Sequence, residues 1–331
     1  MNTEGAAVGR RSFAAIGTIN HVLSAQADRV EAAAVIVRQQ LAELDATCSR
    51  FRADSELSAL ARGREVAISP LLTELLAAGI RTARRTNGLV DPTVGAAMRR
   101  LGYDDDLATI RVRPARSEPL DYQPAPGFWR IALDQSAHRV MIPYGVEVDL
   151  GASAKAWAAD RAARTCHEQL GGGFLVNLGG DLAVAGRPPQ GGWQVSVDDA
   201  TELDRDDWPI VTVRSGGLAT SSTAVRTWRH GDRELHHIID PHTGDVADPW
   251  WRAVTVVAET AELANAAATA AVVLGPEAAH WLARRRLPAR LVSQAGLPVY
   301  VGEWPEDVSV RSRAAGSLGD QSRTAQLRAS A

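Results

Sequence analysis

The segment from Val148 to Asp160 (VDLGASAKAWAAD) constrains the fold most, because it predicts a strand that turns sharply into a helix. Gly151 suits the tight turn and Ser153 suits the N-cap of the helix. The first backbone N–H groups of this helix would then point at whatever lies above the end of the strand, and an anion is the natural occupant. The segment therefore predicts either an anion site or an ordinary strand–helix junction.

Lys155, in the first turn of this predicted helix, is the only lysine among the 331 residues. Arginine occupies every other position that carries a permanent positive charge. Because a compact ammonium and a planar guanidinium are not interchangeable, this usage favours a specific role for Lys155, such as binding part of an anion. The alternative is an exposed lysine on an unremarkable junction.

Charge and cysteine content exclude several classes of protein. The formal net charge is −3 at pH 7, and no block of like charges indicates a nucleic-acid or polybasic membrane surface. Cys48 and Cys166 lie outside any Cys/His cluster, which argues against zinc and disulfides and favours a reducing compartment. Neither a signal peptide nor an apolar run of about 18 residues is visible. We therefore expect a cytoplasmic protein that does not insert into membranes.

Hydrophobic periodicity and turn signals predict an α/β (α+β) protein with mixed, largely antiparallel sheets flanked by helices. Helices are predicted at 28–45, 71–86, 261–274 and 277–286, and from Lys155 to the glycines at 171–173. The predicted strands are 14–23, 129–133, 139–143, 174–178, 182–186, 193–197, 210–213, 234–239, 253–258 and 297–302.

Two loops carry residues with open interpretations. Phe51 lies on a polar loop in a chain with few aromatics, so it is either a loop anchor in the core or a ring-stacking residue. Gly179 and Gly180 interrupt a strand, which indicates either a bulge or a close approach of the backbone to a ligand.

Two further groups of residues suggest chemistry. On the helix that begins at Ala261, Glu262, Asn265 and Thr269 are spaced i, i+3 and i+7, which predicts either an oxygen-lined Mg²⁺ site or a solvated face. His237 precedes the Asp240-Pro241 turn and could act as a general base that Asp240 assists, or it is a hydrogen-bonded core residue.

Read together, these motifs resemble the FAD:protein FMN transferase family, the ApbE-type flavin transferases. The resemblance covers roughly residues 13 to 302. We therefore expect a flavin transferase domain over 13–304, between a flexible N-terminus (1–12) and a disordered tail (305–331). The segments that carry the resemblance, in order, are Ile16-Gly17-Thr18, Ser49 to Leu57, Gly88 to Val94, Val148 to Asp160, Asn177 to Asp181, Ala219-Thr220-Ser221 and His237 to Gly244.

The resemblance implies an Mg²⁺-dependent enzyme with an FAD cleft between the N-terminal helical part and the sheet-rich core. Its reaction would transfer FMN from FAD to a Ser or Thr hydroxyl of an acceptor protein and release AMP. By the same resemblance, Lys155, His237 and Asp240 would be catalytic, and Mg²⁺ would be bound by the backbone carbonyl of Ala152 with Glu262, Asn265 and Thr269. The implied FAD-binding residues are Ile16, Phe51, Leu89, Val90, Asp91, Asp149, Lys155, Gly179, Gly180 and Ile238.

Several positions depart from the family pattern. Asn265 replaces the usual aspartate, so the metal site lacks one charge unless Glu262 supplies it. Ile16 and Phe51 replace a methionine and a tyrosine beside the flavin, which keeps apolar contact but loses the sulfur and the hydroxyl. Two alternatives therefore stand beside flavin transfer: an FAD pyrophosphatase that yields FMN and AMP, and a non-catalytic FAD-binding or carrier protein.

Overall fold

The computed structural model describes residues 7–114, 116–200, 208–304 and 327–329. In this part of the chain the α-helices are α1 (Val30–Cys48), α2 (Glu56–Ala59), α3 (Pro70–Arg85), α4 (Gly95–Arg100), α5 (Leu107–Val112), α6 (Ala154–Leu170), α7 (Ala261–Leu274) and α8 (Ala278–Arg284). The strands are β1 (Gly9–Ala15), β2 (Thr18–Ser24), β3 (Glu65–Ala67), β4 (Ala132–Asp134), β5 (Arg139–Met141), β6 (Phe174–Leu178), β7 (Asp181–Ala185), β8 (Trp193–Val197), β9 (Ile210–Val213), β10 (Gly216–Ser222), β11 (Thr227–His230), β12 (Arg233–His236), β13 (Trp251–Ala258), β14 (Ala289–Ser293), β15 (Pro298–Val301) and β16 (Leu327–Ala329).

An eight-stranded sheet organises the fold, with strand order β1-β2-β6-β7-β10-β13-β14-β15. Each neighbouring pair in this sheet is antiparallel. Three small sheets accompany it: β11-β12, β16-β8-β9 and β3-β5-β4. The predicted α/β class with largely antiparallel sheets is therefore confirmed.

The two faces of the main sheet carry separate hydrophobic cores. Alternate residues of β6 point to opposite faces, so Phe174 and Val176 pack in the core with α1, α3 and α6, while Leu175 packs against β8 and β9. Because both faces are covered, all five residues of β6 are buried, and this explains why four of them are apolar.

Helices α6 and α7 present mostly alanines to the sheet, and these alanines are buried. Helix α6 contacts β6 and β7, whereas α7 contacts β10 and β13, so the two helices lie side by side on one face. Short side chains allow the helix backbones to lie close to the strands, and this fixes where the longer polar residues of α6 and α7 project.

The first predicted strand is wrong in detail. Residues 14–23 form parts of the hairpin β1–β2, paired in register from Gly9 with Ser24 to Ala15 with Thr18. Ile16 and Gly17 form its two-residue turn with φ of +48° and +70°, as a type I′ hairpin turn requires. Residues 9–12 therefore belong to the sheet, although the sequence predicted a flexible N-terminus there.

The tail also differs from the sequence prediction. Strand β16 pairs in parallel with β8, so residues 327–329 are ordered against a sheet. Residues 305–326, which the same prediction covers, lie outside the described residues. Within the described ranges, no helix combines the length and the apolar character needed to cross a lipid bilayer.

Candidate active site

A cleft opens at the N-terminus of α6 and along the inward face of α7. Its first chamber encloses about 970 Å³, including the part open to solvent. Its walls come from the loops around residues 50, 90 and 150, the end of β10, the segment after β12, and α7. The predicted site residues that line this chamber are Phe51, Leu89, Val90, Asp91, Asp149, Ala152, Lys155, Gly179, His237, Ile238, Asn265 and Thr269.

A second, more apolar chamber adjoins the first and encloses about 1200 Å³ on the same measure. Ile16, at the tip of the β1–β2 hairpin, lines it together with Leu44 and Cys48. The two chambers lie on either side of one shared wall, and together they are called the cleft. The shared residues are Arg50, Phe51, Tyr103, Asp149, Gly151, Lys155 and Arg226.

Asp149 shapes the turn between the strand end and α6. Its Oδ1 accepts a hydrogen bond from the Gly151 N–H at 2.6 Å, and its Oδ2 lies 2.7 Å from Nε of Arg50 in an ion pair. Its own N–H donates to the carbonyl of Pro92 at 2.8 Å. Asp149 is 7% exposed, and its Oδ2 has the ion pair with Arg50 but no hydrogen-bond partner.

Ser153 does not cap α6 as predicted. Its hydroxyl donates to the carbonyl of Leu150 at 3.3 Å, because the side chain turns back into the preceding turn. The first-turn N–H groups of α6 therefore donate no hydrogen bond to the N-cap side chain.

Lys155 lies in the wall shared by the two chambers. Among the described residues, no carboxylate lies within 4 Å of its ammonium, and neither it nor Arg226 has an ion-pair partner. Desolvation by burial, followed by repulsion from Arg226, lowers the pKa of Lys155 to about 8 against the opposing charges of Asp181 and Asp149. Two cations without ion-pair partners among the described residues thus lie in the wall shared by the chambers.

Phe51 belongs to a layer of rings and cations in the same wall. Arg50 lies over the rings of both Phe51 and Tyr103, with its Cζ 4.1 Å and 4.6 Å from their centroids. Tyr103 stacks in turn on Trp228, with centroids 5.0 Å apart. Because Phe51 is 43% exposed and lines both chambers, it is not a core anchor, and it leaves ring surface available for stacking.

An oxygen-rich cluster occupies the wall of the first chamber near α7. Asn265 donates from Nδ2 to Oδ1 of Asp181 at 2.7 Å, and Thr269 shares a hydrogen bond with Ser221 at 2.9 Å. The Oδ1 of Asn265 is buried and has no hydrogen-bond partner. Burial raises the pKa of Asp181, an effect that Lys155 opposes.

The same chamber contains His237, directly after β12. Burial, followed by repulsion from Arg226, His236 and Lys155, holds the pKa of His237 well below its ordinary value. The imidazole is therefore neutral at neutral pH and is able to accept a proton. Its Nδ1 is buried without a hydrogen-bond partner.

The model of the ApbE family matches residues 16–291. The chain belongs to the ApbE family. Among its relatives, the FAD:protein FMN transferase of Escherichia coli K12 is 25% identical over 272 residues, covering 80% of this chain and 75% of the relative. The FAD:protein FMN transferase of Treponema pallidum is 29% identical over 268 residues, covering 76% and 74%.

Solved structures agree on the fold of this ApbE-family chain. The ApbE protein of Thermotoga maritima has a TM-score of 0.74 at 23% identity, covering 89% of this chain and 97% of that one. The apo flavinyl transferase ApbE of Pseudomonas stutzeri has a TM-score of 0.70 at 22% identity, covering 91% and 97%. The resemblance expected from the sequence motifs is confirmed.

Glu262 is not part of the ApbE-family cleft, contrary to the prediction of a metal-ligand role. It forms a two-pronged ion pair with Arg81, at 3.0 Å to Nε and 2.8 Å to Nη2, on the outer side of α7. Helical side chains lean toward the N-terminus of their helix, so a glutamate in the first turn of α7 projects past the helix end and away from Asn265.

Asp240 also lies outside both chambers, so the predicted catalytic role has no geometric basis. Its Oδ1 accepts the backbone N–H of His242 at 2.9 Å and contacts the ring Nδ1 of the same residue at 3.1 Å. Its backbone carbonyl accepts the N–H of Gly244. Asp240 therefore stabilises the Asp-Pro turn, as aspartates commonly do in this position.

Two other predicted FAD ligands, Asp91 and Gly180, form hydrogen bonds within the protein. Asp91 lines the first chamber, but its carboxylate accepts hydrogen bonds from Thr93 and from the Phe128 N–H at 2.9 Å. Gly180 does not line either chamber, and its N–H donates to Oδ1 of Asn177 at 2.9 Å. Gly179 does line the first chamber, at φ of +62°, where a Cβ would lie 2.7 Å from Oγ1 of Thr18.

Among the charged and aromatic residues that line the first chamber, the sequence prediction missed Arg50, Tyr103, Asp181 and Arg226. Asp181 belongs to the Asn-Leu-Gly-Gly-Asp segment that carried the resemblance, so a signal was available for it. Arg226 lies between β10 and β11 in a segment without a recognised motif, and only the folded chain brings it beside Lys155.

The cleft contains donors that fit a hard divalent cation. Within the described ranges, no group of three or more His, Cys, Asp or Glu side chains forms a metal cluster. The available donors are instead the Asp181 carboxylate, the unpaired Oδ1 of Asn265, the Thr269 hydroxyl and the Ala152 backbone. Such a sparse oxygen set suits Mg²⁺, which keeps several waters and shares its shell with phosphates.

Proposed function

We propose that this chain is an Mg²⁺-dependent FAD:protein FMN transferase, which moves FMN from FAD to a Ser or Thr hydroxyl of an acceptor protein and releases AMP. The observation that carries the proposal is the pair of unpaired cations, Lys155 and Arg226, in the wall between two joined chambers. FAD has two ring systems joined by a diphosphate, so it matches a cleft that is cationic at its middle. The names of the relatives support the same activity.

We place the isoalloxazine ring in the second chamber, between Ile16 and Phe51, which supply an apolar contact and an exposed aromatic face. The diphosphate would lie against Lys155 and Arg226. The adenosine part would then extend into the first chamber, along Leu89, Val90 and Ile238. In this arrangement Asp149 contributes by holding the turn that presents Lys155.

Mg²⁺, when bound, would neutralise charge on the diphosphate, and the backbone carbonyl of Ala152 with Asn265 and Thr269 would help to hold it. Lys155 and Arg226 stabilise the charge that develops on the phosphate oxygens, because no ion-pair partner among the described residues occupies either cation. Burial in the cleft strengthens both interactions, since the screening by water is weaker there.

His237 is the residue that we propose as proton acceptor. The acceptor hydroxyl forms a new O–P bond to the FMN phosphorus, and the bond between that phosphorus and the bridging oxygen breaks. The bridging oxygen leaves with AMP and its electron pair, while the hydroxyl proton passes to the neutral imidazole. The lowered pKa of His237 keeps the ring unprotonated and ready for this step.

Incubation of the protein with FAD, Mg²⁺ and a flavinylation-competent acceptor tests the proposal. The expected result is a fluorescent acceptor band on a denaturing gel together with stoichiometric AMP. Release of free FMN and AMP without labelling of any acceptor would instead identify a pyrophosphatase. FAD binding that is indifferent to Mg²⁺ and gives neither product would identify a flavin carrier. The cytoplasmic location expected from the sequence stays a prediction, which cell fractionation tests.

A further inference from the structure

The carboxylates around the first chamber differ in the hydrogen bonds and ion pairs that they form. Asp149 is engaged by the Gly151 N–H and by Arg50, and Asp91 is engaged by Thr93 and Phe128. Asp181 is 3% exposed, and the one hydrogen bond it accepts in the described structure comes from Asn265, a neutral amide. Among the described residues, no cation lies within 4 Å of Asp181, so its charge is compensated only at longer range.

Helix α7 offers no carboxylate to this chamber. Position 265 is an asparagine, and Glu262 is held on the outer side of the helix by Arg81 at 2.8 Å and Arg85 at 3.6 Å. A divalent cation placed near Asn265 and Thr269 must therefore take its negative charge from another element.

The orientation of the Asn265 amide is fixed by its partner. Because Nδ2 donates to the Asp181 carboxylate, Oδ1 must point the other way, and there it is buried without any donor. Asn265 is 8% exposed, so water offers little compensation. A buried acceptor left unpaired beside an uncompensated carboxylate is costly, and one cation would satisfy both groups.

We infer that Asp181, on β7, supplies the negative charge for the divalent cation in this chain, and that Asn265 holds the Asp181 carboxylate in place while offering its own carbonyl oxygen to the same cation. The inference rests on the proposed function, since that function requires the metal. In this assignment the charged metal ligand lies on β7 instead of α7, and the Asp181–Asn265 pair carries one net negative charge.

Titration of the full-length protein with Mn²⁺, read by electron paramagnetic resonance without FAD or acceptor, tests this assignment. Asp181→Asn removes the charge but keeps the shape, so the dissociation constant for Mn²⁺ is expected to rise by about tenfold or more. Glu262→Gln is the matched control on α7, and it is expected to change the constant by less than about twofold.

The exchange variant Asp181→Asn/Asn265→Asp keeps one carboxylate, one amide and the hydrogen bond between them. It is expected to fold and to recover Mn²⁺ affinity to within about threefold of wild type, because the net charge of the pair is unchanged. Thermal unfolding followed by circular dichroism verifies folding of each variant. A folded exchange variant that does not bind Mn²⁺ would overturn the inference even if Asp181→Asn alone failed to fold.

Other results overturn it directly: wild-type protein that does not bind Mn²⁺, Asp181→Asn that binds like wild type, or Glu262→Gln that weakens binding as much as Asp181→Asn. The measurement is independent of flavin transfer. Wild-type protein that binds Mn²⁺ through Asp181 but labels no acceptor would refute the proposed function alone, whereas active protein with unaltered Mn²⁺ binding in Asp181→Asn would refute the metal assignment alone.

Discussion

Helices α6 and α7 border two cavities, and the two differ in the ion pairs that their charged side chains form. One is the cleft described above, and the other is the arginine pocket, which encloses about 1050 Å³ on the outer side of the helices and is lined by Arg81, Arg85, Arg161, Arg164, Trp157, Asp160 and Glu262 among others. In the arginine pocket, Glu262 pairs with Arg81, and Arg161 lies over the Trp157 ring at 5.3 Å.

In the arginine pocket, Arg81 and Arg85 pair with Glu262, whereas Asp160 stabilises the start of α7. Its two carboxylate oxygens accept the N–H groups of Ala261 and Glu262, each at 2.9 Å, at the start of α7. The cleft, by contrast, leaves Lys155 and Arg226 without ion-pair partners among the described residues. The number of charged side chains therefore does not identify the ligand site. The cleft is distinguished by two cations that lie in the wall shared by its chambers with no carboxylate of the described residues within ion-pair distance, an arrangement that a bound anion would compensate.

The largest expected effect comes from a variant that removes a catalytic group from the cleft and leaves the arginine pocket intact. His237→Gln removes the proton acceptor but keeps a hydrogen-bonding side chain, so kcat for FMN transfer should fall by about 10²- to 10⁴-fold. Initial rates of acceptor labelling measure the loss. Arg164→Gln, in the arginine pocket, is the control and should retain kcat; an equal loss in the control would remove the distinction between the two cavities.

A smaller effect tests whether the unpaired ammonium of Lys155 binds the ligand. The pKa of Lys155 is lowered to about 8 from its ordinary 10.5, so the free protein loses this positive charge as the pH rises through about 8. The affinity for FAD should consequently fall with rising pH, by up to about tenfold per pH unit above pH 8. Fluorescence titrations between pH 7 and 9.5 measure the slope.

Lys155→Arg is the matched control for this pH dependence, because a guanidinium stays protonated across the whole range. Its FAD affinity should be nearly flat with pH, whatever its absolute value. The same slope in wild type and Lys155→Arg would assign the titration to another group. Rising pH should affect stability in the opposite direction to FAD affinity. Because burial of the charged ammonium is unfavourable, the contribution of Lys155 to the free energy of unfolding should increase as the pH rises from about 8 to 10.5.

The smallest expected effect belongs to the arginine pocket. Glu262→Gln breaks the ion pair with Arg81, whose side chain is 42% exposed, so solvent screening limits the loss to about 1 kcal/mol in the free energy of unfolding. Urea denaturation measures this change, and the rate of FMN transfer should stay unchanged. Unaltered stability combined with a large loss of transfer would show that Glu262 acts in the cleft after all.

Much of the fold followed from local sequence patterns. Short runs of apolar residues predicted β6, β8, β9 and β13, and the alanine-rich periodic stretch predicted α7, because these patterns report burial on one or both faces directly. The N-terminal strand was placed only in part, since Ile16 occupies a left-handed turn position that a β-branched residue rarely takes. The pattern there gave no sign of a hairpin.

The residues of the candidate site were likewise predicted correctly in some cases and wrongly in others. Local sequence predicted Lys155 at the first turn of α6, and it predicted the polar positions Asn265 and Thr269 on α7, because turn chemistry and the helical repeat depend on near neighbours. It also predicted Glu262 and Asp240 for the site, and both were wrong. Each is held elsewhere by a partner, Arg81 in one case and the Asp-Pro turn in the other.

Only the tertiary structure decided which charges remain free. Asp181 meets Asn265 across 84 residues of sequence, and Arg226 approaches Lys155 from a segment with no motif of its own. Helical and strand periodicity determine the face on which a side chain projects, but the identity of its partner depends on how distant elements pack. The sequence by itself therefore determined the elements, the family and the solitary lysine, while packing determined the electrostatics of the cleft.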